Sequence, residues 1–469
     1  MQGGQQLVIN ALDIISRGMS SGAEIADGAF SPETKAINPL RVPGSIQAPA
    51  ALVNGDSDSI LTGEIIATSP DMASYLGTDY LVVADNGTFY RYNGTKLVIM
   101  ATTDGVNTYA KGFTEMIIFG GDAYITAKQG ITRWQNDNTI TAPSGSWAFT
   151  NTIFPHPAIV FENNAFYGDK NLLLRQSTPG VAPTVIMTLD SNQVIVALGI
   201  DPVSGKMLIS TTYSLDVSNT LPSIAKLLWY DGFSNKPSKA VIVDDTILGF
   251  YAVGGTVFVG YGQNLGYVNG AGVTFLRKLA NTTLDQDYLP SKHNFANLGK
   301  ILLVADGTKV LAFGEVISGR KIFFYIANNF INSGKFRSIC YVGDGKIGLS
   351  FDTTKFYTLN TTSIASIDAS GFDFWTNWIE FPRPVLLRSM ELEFIETTSL
   401  VVSGNYTITY YGQDLMNKGL TPERAVFTSE SGPILGFLSE KTTRIKLNLS
   451  NGLTNKGLKR IIIYYDYAE

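Results

Sequence analysis

Two histidines, His156 and His293, and one cysteine, Cys340, are all the imidazole and thiol chemistry that this 469-residue chain can draw on. A zinc site takes three or four nitrogen or sulfur ligands, and one cysteine with two distant histidines does not make a usual set. His156 stands between Pro155 and Pro157, and His293 follows Lys292 in a polar stretch. A Ser-His-Asp triad needs an activated serine, and no Gly-x-Ser-x-Gly elbow occurs. Cys340 lies in the apolar run Ile339-Cys340-Tyr341-Val342, which reads as a buried strand thiol. A single cysteine also excludes an intramolecular disulfide framework.

Carboxylates are the other source of chemistry. Glycoside hydrolysis needs two that converge, and Asp169, Asp244, Asp245 and Glu315 are candidates by type. No Ser-x-Asp-x-Gly-x-Thr-Trp box accompanies them, and aspartates in such stretches are commonly turn formers. Asn54-Gly55-Asp56-Ser57-Asp58-Ser59 alternates oxygen ligands as a calcium loop does, but lacks the later glutamate of an EF-hand. It reads as a loop. Gly254-Gly255 and Gly343-Asp344-Gly345 sit at turn tips, not between a strand and a helix, so they are not phosphate loops. Trp134, Trp147 and Trp229 would stack on sugars if exposed, although no aromatic recurs at one place in every repeat. The expectation is a non-enzymatic chain with no catalytic, cofactor-binding or metal site, and with carbohydrate or receptor binding as the alternative and glycoside hydrolysis behind it.

The elements that carry these residues follow from an internal repeat: an apolar run, a short Gly, Asn or Asp turn, and a second apolar run. The seven first runs are Leu81–Ala84, Met116–Phe119, Ala158–Phe161, Ala197–Ile200, Gly249–Val253, Ile301–Val304 and Ile339–Val342. The turns recur at intervals of about 35 to 52 residues, close to the roughly 40–50 of a propeller blade. Asn-Gly, Asp-Gly and Gly-Gly turns match the right-handed twist of paired strands, so each unit is a hairpin. Runs such as Ile301-Leu302-Leu303-Val304 suit strands covered on both faces. The spacing predicts an all-β fold with a β-propeller of about seven blades, each hairpin being the central pair of a four-stranded blade. Ile131–Trp134, Leu172–Arg175, Leu265–Val268 and Lys355–Thr358 are assigned to outer strands.

The ends differ. Residues 1–50 lack the hairpin pattern and read as an N-terminal arm, with a short helix around Gln5–Ile15 and an extended stretch at Asn38–Gly44. Such an arm either packs against another subunit or completes the last blade. Residues 51–368 are assigned to the propeller and 369–469 to a C-terminal β-sandwich. In the latter, Leu386–Phe394, Asn405–Tyr411, Thr443–Leu449 and Arg460–Tyr467 are strand-like and Phe372, Phe374, Trp375, Trp378 and Phe381 supply core. Charged residues are 16% of the chain, and 46 Gly, 22 Tyr and 26 Phe suit short strands and tight turns. The net charge of −5, without a basic cluster, argues against a duplex-DNA reader, yet an acidic wall would let DNA slide past. The expectation is no signal peptide and no membrane-spanning helix. The sequons at Asn86, Asn93, Asn281, Asn360, Asn405 and Asn448 are read as turn and strand-end residues.

Arg17-Gly18-Met19, the arm phrase Asn38-Pro39-Leu40-Arg41-Val42-Pro43-Gly44, the seven hairpins and the terminal run Ile461-Ile462-Ile463-Tyr464-Tyr465 together resemble the tail-nozzle and tail-hub proteins of tailed bacteriophages. Those proteins carry an arm, a propeller and a terminal β-sandwich in that order, and an arm phrase of the type N-x-R-V-x-P-G. Here the phrase is similar, with different spacing. The resemblance covers nearly the whole chain as architecture. It implies a virion protein of the tail, assembled in the host cytoplasm. Copies would form a homo-oligomeric ring around the DNA exit channel, in contact with other tail or connector proteins. It carries over no site residue.

Overall fold

A computed structural model of the chain describes residues 4–19, 30–31, 34–41, 44–68, 80–101, 108–110, 113–135, 140–141, 145–213, 225–279, 292–317, 319–328, 334–352, 354–361, 373–396, 406–413, 421–427, 434–435, 441–450 and 456–468. β1 (Gln5–Asn10) leads into α1 (Ala11–Arg17), and β2 (Leu52–Asn54) precedes the repeats. Blade one is β3 (Ile65–Thr68), β4 (Tyr80–Ala84), β5 (Phe89–Tyr92) and β6 (Leu97–Ala101). Blade two is β7 (Met116–Phe119), β8 (Asp122–Thr126), β9 (Ile131–Trp134) and β10 (Ile140–Thr141). Blade three is β11 (Ala158–Phe161), β12 (Asn164–Asp169), β13 (Leu172–Gln176) and β14 (Thr184–Thr188). Blade four is β15 (Gln193–Asp201), β16 (Lys206–Tyr213), β17 (Ala225–Tyr230) and β18 (Lys239–Val243). Blade five is β19 (Ile247–Val253), β20 (Thr256–Tyr261), β21 (Asn264–Asn269) and β22 (Gly272–Lys278). Blade six is β23 (Phe295–Leu298), β24 (Ile301–Asp306), β25 (Lys309–Ile317) and β26 (Arg320–Asn328). Blade seven is β27 (Phe336–Tyr341), β28 (Lys346–Phe351) and β29 (Phe356–Asn360), with β2 as its fourth strand.

The fold is therefore all-β, a propeller of seven four-stranded blades. All seven predicted hairpins form, but their place in the blade corrects the expectation. In blades two, three, four, five and seven the hairpin is the first and second strands; only β4–β5 and β24–β25 are central pairs. The reason is burial: the first two strands of a blade lie between neighbouring blades, so both read as continuous apolar runs. The four segments assigned to outer strands are third strands, and Ile131, Trp134, Leu173, Leu265 and Phe356 in them are buried. Gly254 and Gly255, with φ of 56° and 81°, make the β19–β20 turn that a side chain would strain.

By contact, the chain forms two compact units, one of residues 54–308 and 334–358, the other of residues 1–53, 309–333 and 359–469. The arm expected over 1–50 and the sheet expected over 369–469 thus share a unit. Inside the first unit, apolar clusters join successive blades. Phe89 of blade one meets Met116 and Trp134 of blade two. Tyr124 of blade two meets Tyr167 of blade three. Phe166 of blade three meets Leu228 of blade four, and Leu208 of blade four meets Phe250 of blade five. Tyr251 stacks on Phe295 of blade six at 6.1 Å, Asn294 donates to the Arg337 carbonyl of blade seven, and Cys340 and Phe356 pack with Tyr92 of blade one. The ring closes on itself, which leaves each inner strand covered.

Besides β25 and β26 of blade six, the other unit holds an eight-stranded sheet. β30 (Asp373–Trp375), β31 (Ile379–Glu396), β32 (Tyr406–Gln413), β33 (Thr421–Phe427), β34 (Ile434–Leu435), β35 (Thr442–Ser450) and β36 (Lys456–Tyr467) hydrogen-bond in it together with β1. β31 pairs with β35 near Ile379 and with β36 from Val385 onward, so it belongs to two halves, as strands that switch sheets in a sandwich do. Pro382 and Pro384 mark the change of partner. Ile445, Leu447 and Leu449 alternate into the core, as do Ile461, Ile463 and Tyr465. Phe374 meets Phe30, Phe381 meets Tyr465, and Trp375 and Trp378 lie under Lys446 and Arg444; Phe372 falls outside the described residues. The helix expected around Gln5–Ile15 is shorter: Gln5–Asn10 is a strand because its backbone pairs with Arg460–Tyr465, and only Ala11–Arg17 is helical. The arm is held by its own unit. Ile37 N–H donates to the Tyr325 carbonyl, Lys35 N–H to the Asp373 carbonyl, and Ile46 bridges Leu458.

Candidate functional site

The inner strands run side by side around the axis, so residues just before them meet although they are far apart in sequence. Glu115 immediately precedes β7, and a 3-10 turn, Lys292–Asn294, immediately precedes β23. Glu115 Oε2 lies 3.3 Å from His293 Nε2 and 3.7 Å from Lys292 Nζ. The Thr68 N–H, in β3, donates to His293 Nδ1 at 3.4 Å, so that nitrogen is unprotonated and Nε2 carries the hydrogen. Nε2 faces the Thr114 carbonyl at 3.3 Å as well. The Lys292–Asn294 turn also packs on β19 and β27. It thus touches blades one, five and seven and the residues that enter blade two. Desolvation pushes the Glu115 carboxyl upward, but His293 and Lys292 together outweigh it and hold its pKa below the ordinary value.

Beside this cluster is a cavity of about 280 Å³. The inner strands of five consecutive blades, β7, β11, β15, β19 and β23, line it. Its lining is mixed, with the apolar side chains of Ile117, Ile159, Leu198 and Ile200 beside Tyr251 and Asn297, and Lys292 is the one charged residue among the described residues that line it. Gly199 is part of that wall, and a Cβ there would come within 2.4 Å of Phe250 Cβ.

The residues considered from sequence are placed elsewhere. His156 is fully buried, stacked on Phe149 at 3.9 Å, with Nδ1 3.1 Å from the Gly168 carbonyl and no hydrogen-bond partner for Nε2 among the described residues. Burial lowers its pKa against the opposing pull of that carbonyl and of Asp169, which leaves a neutral core histidine. Asp169 is buried and accepts from the Thr150 N–H and hydroxyl and from the Asn151 N–H. Asp245 is half-buried and burial raises its pKa, while Asp244 is exposed. Glu315 accepts from Gly319 N–H across its own turn. Asp56 accepts from the Ile60 and Leu61 N–H groups, and Asp58 pairs with Lys96, so the calcium-like loop spends its carboxylates on its own turn. Among the described residues no group of three or more His, Cys, Asp or Glu could hold a metal.

Trp134 and Trp229, candidates for sugar stacking, are 0% and 4% exposed; they are blade core. Trp147 is half-buried and stacks on Tyr124 at 6.0 Å. Cys340 is buried in β27, and burial pushes its thiol up to about 12. A disulfide-exchange reagent at pH 8 is expected to leave Cys340 unmodified in the folded protein and to label it fully in denaturant, since the thiolate is the reactive form. Fast labelling without denaturant would contradict the placement.

Sequence reading singled out His293 but not Glu115 or Lys292 as its partners. A lone acid before an apolar run carries no signal, and the pairing spans 178 residues of chain.

No known family model matches the chain, and no curated protein does. Solved structures that resemble it include YCF48 from Cyanidioschyzon merolae, 11% identical over 67% of this chain and 100% of that one, with a TM-score of 0.46. The extracellular domain of a hybrid two-component system from B. thetaiotaomicron is 11% identical over 85% of this chain and 58% of its own, with a TM-score of 0.49. A chain of the mitotic checkpoint complex is 10% identical over 69% and 98%, with a TM-score of 0.46. At these levels the likeness says nothing of function, and the propeller assignment rests on the seven hydrogen-bonded sheets.

Proposed function

We propose that this chain is a non-enzymatic structural protein of a virus particle, a nozzle or hub subunit in the tail of a tailed phage. Copies of it form a ring around the path of the DNA, against other tail or connector proteins. The observation that carries the reading is architectural: arm, propeller and terminal β-region follow one another in a single chain, as in the family that the sequence resembles.

Quantitative mass spectrometry of purified particles tests the virion role: a fixed, low copy number relative to the major capsid protein is expected, and absence from intact particles would overturn it. Sugar binding, the alternative reading, loses the two tryptophans that are core.

A further inference from the structure

We propose that the outer edge of β1 pairs antiparallel with β1 of a second copy of this chain. In the eight-stranded sheet the order β1-β36-β31-β35-β32-β33 puts β1 and β33 at the two ends. β1 meets Arg460–Tyr465 of β36 residue by residue from Gln5 to Asn10, and no strand lies on its other side among the described residues. An end strand presents a row of N–H and C=O groups that a further strand completes, and proline or charge blocks such pairing. β33 is blocked in that way, by Pro422, Glu423 and Arg424 in its sequence. β1, Gln5-Gln6-Leu7-Val8-Ile9-Asn10, has no proline, no glycine and no charge. In a chain of net charge −5, this neutral strand is an edge along which two copies meet without like charges opposite each other.

The choice of a second copy rests on the order of residues in the strand. Leu7 and Ile9 stand opposite Ile463 and Ile461, which are buried, so they share the core face, while Gln6, Val8 and Asn10 lie on the other face. Leu7 and Ile9 are only half-buried because the sheet ends beside them, and Val8 is 40% exposed. A two-fold axis through Val8, perpendicular to the sheet, joins the core faces of two copies into one. It sets Leu7 opposite Ile9 of the partner subunit, Gln6 opposite Asn10 of the partner subunit, and Val8 opposite Val8 of the partner subunit. Apolar residues then meet apolar ones, and amides meet amides, at every position from Gln6 to Asn10. The neighbouring registers that keep the core faces together fail this test. Centring on Leu7 sets Gln5 against Ile9 and Gln6 against Val8, and centring on Ile9 sets Val8 against Asn10. The contact is isologous and closes with two copies, whereas a ring needs a head-to-tail contact, so the pair and the virion reading stand or fall separately.

Sedimentation velocity of the full chain over a wide range of concentration tests the pairing. The parent is expected to pass reversibly from one copy to two. Val8→Lys and Val8→Glu each place like charges opposite each other at the two-fold axis, and each is expected to weaken pairing about tenfold. An equimolar mixture of the two is expected to pair again, because opposite charges then meet, and a merely misfolded variant would not be rescued in this way. A parent that stays monomeric at every concentration, a Val8→Lys protein that pairs as the parent does, or a mixture that stays monomeric would each overturn the proposal. Should the charged variants not fold, oxidation of the Val8→Cys protein decides. It is expected to give a cross-linked dimer, since Cys340 is buried, and Gln6→Cys is expected to give none, since Asn10 stands across from it. A Val8→Cys protein that does not cross-link, or a Gln6→Cys protein that cross-links as well, would sink the register and the proposal with it.

Discussion

Replacing Glu115 by glutamine is expected to lower folding stability at pH 7 by about 3–5 kcal/mol, the cost of removing one member of a buried ion pair. Both side chains are well shielded, at 15% and 14% exposed, so solvent does little to replace the lost carboxylate beside Lys292. The amide keeps the shape, so the loss reports charge and not packing. The pH dependence gives a second reading. Desolvation acts against the ionised Glu115, but His293 and Lys292 outweigh it, so the folded pKa lies below the unfolded one. A depressed carboxyl contributes stability that is fully present above its unfolded value of about 4.3 and is lost as pH falls through the folded pKa. Urea unfolding from pH 7 down to pH 3 is therefore expected to show parent and variant converging below the ordinary carboxylate range. A gap that stays constant to pH 3, or a variant as stable as the parent at pH 7, would show that the Glu115 charge does not stabilise the fold.

Trp134→Ala is the second large effect, about 3–5 kcal/mol for emptying a fully buried aromatic site. Trp134 ends β9, packs at 5.4 Å against Phe89 of the preceding blade, and belongs to the cluster with Met116 and Ile125. Truncation therefore leaves a void between two blades that cannot collapse without shifting both. The matched comparison is Trp147→Ala. Trp147 is half-buried and loses chiefly one stacked contact with Tyr124, so about 1 kcal/mol is expected. Denaturant titrations of the two variants should separate by at least ~2 kcal/mol, the difference between a core truncation and a partly exposed one. Equal small losses would mean that Trp134 is not core, and would restore it as a surface able to stack on a sugar.

The repeat was legible because it is local. A Gly-Gly or Asp-Gly turn and the apolar runs beside it dictate a hairpin whatever surrounds them, and seven of them spaced at blade length leave few other folds. The terminal strands were legible for the same reason: Ile445, Leu447 and Leu449 show a period of two over a few residues. What a hairpin cannot state is its place in the blade. Met116–Phe119 and Ile301–Val304 look alike, yet one is an innermost strand and the other a second strand, because both positions are covered on two faces. Gln5–Asn10 was read as helix since its partner, Arg460–Tyr465, lies at the far end of the chain and a strand is completed by the backbone it meets. Trp134 carries no mark of depth in its own segment; the neighbouring blade buries it. Glu115, Lys292 and His293 are ordinary polar residues along the chain, and only closure of the ring brings Glu115 within 4 Å of the other two, where shared desolvation turns three surface-like side chains into one cluster. Local backbone preference and periodicity determined the hairpins of this protein, whereas the tertiary structure alone decided this cluster, because charges interact through space and not along the chain.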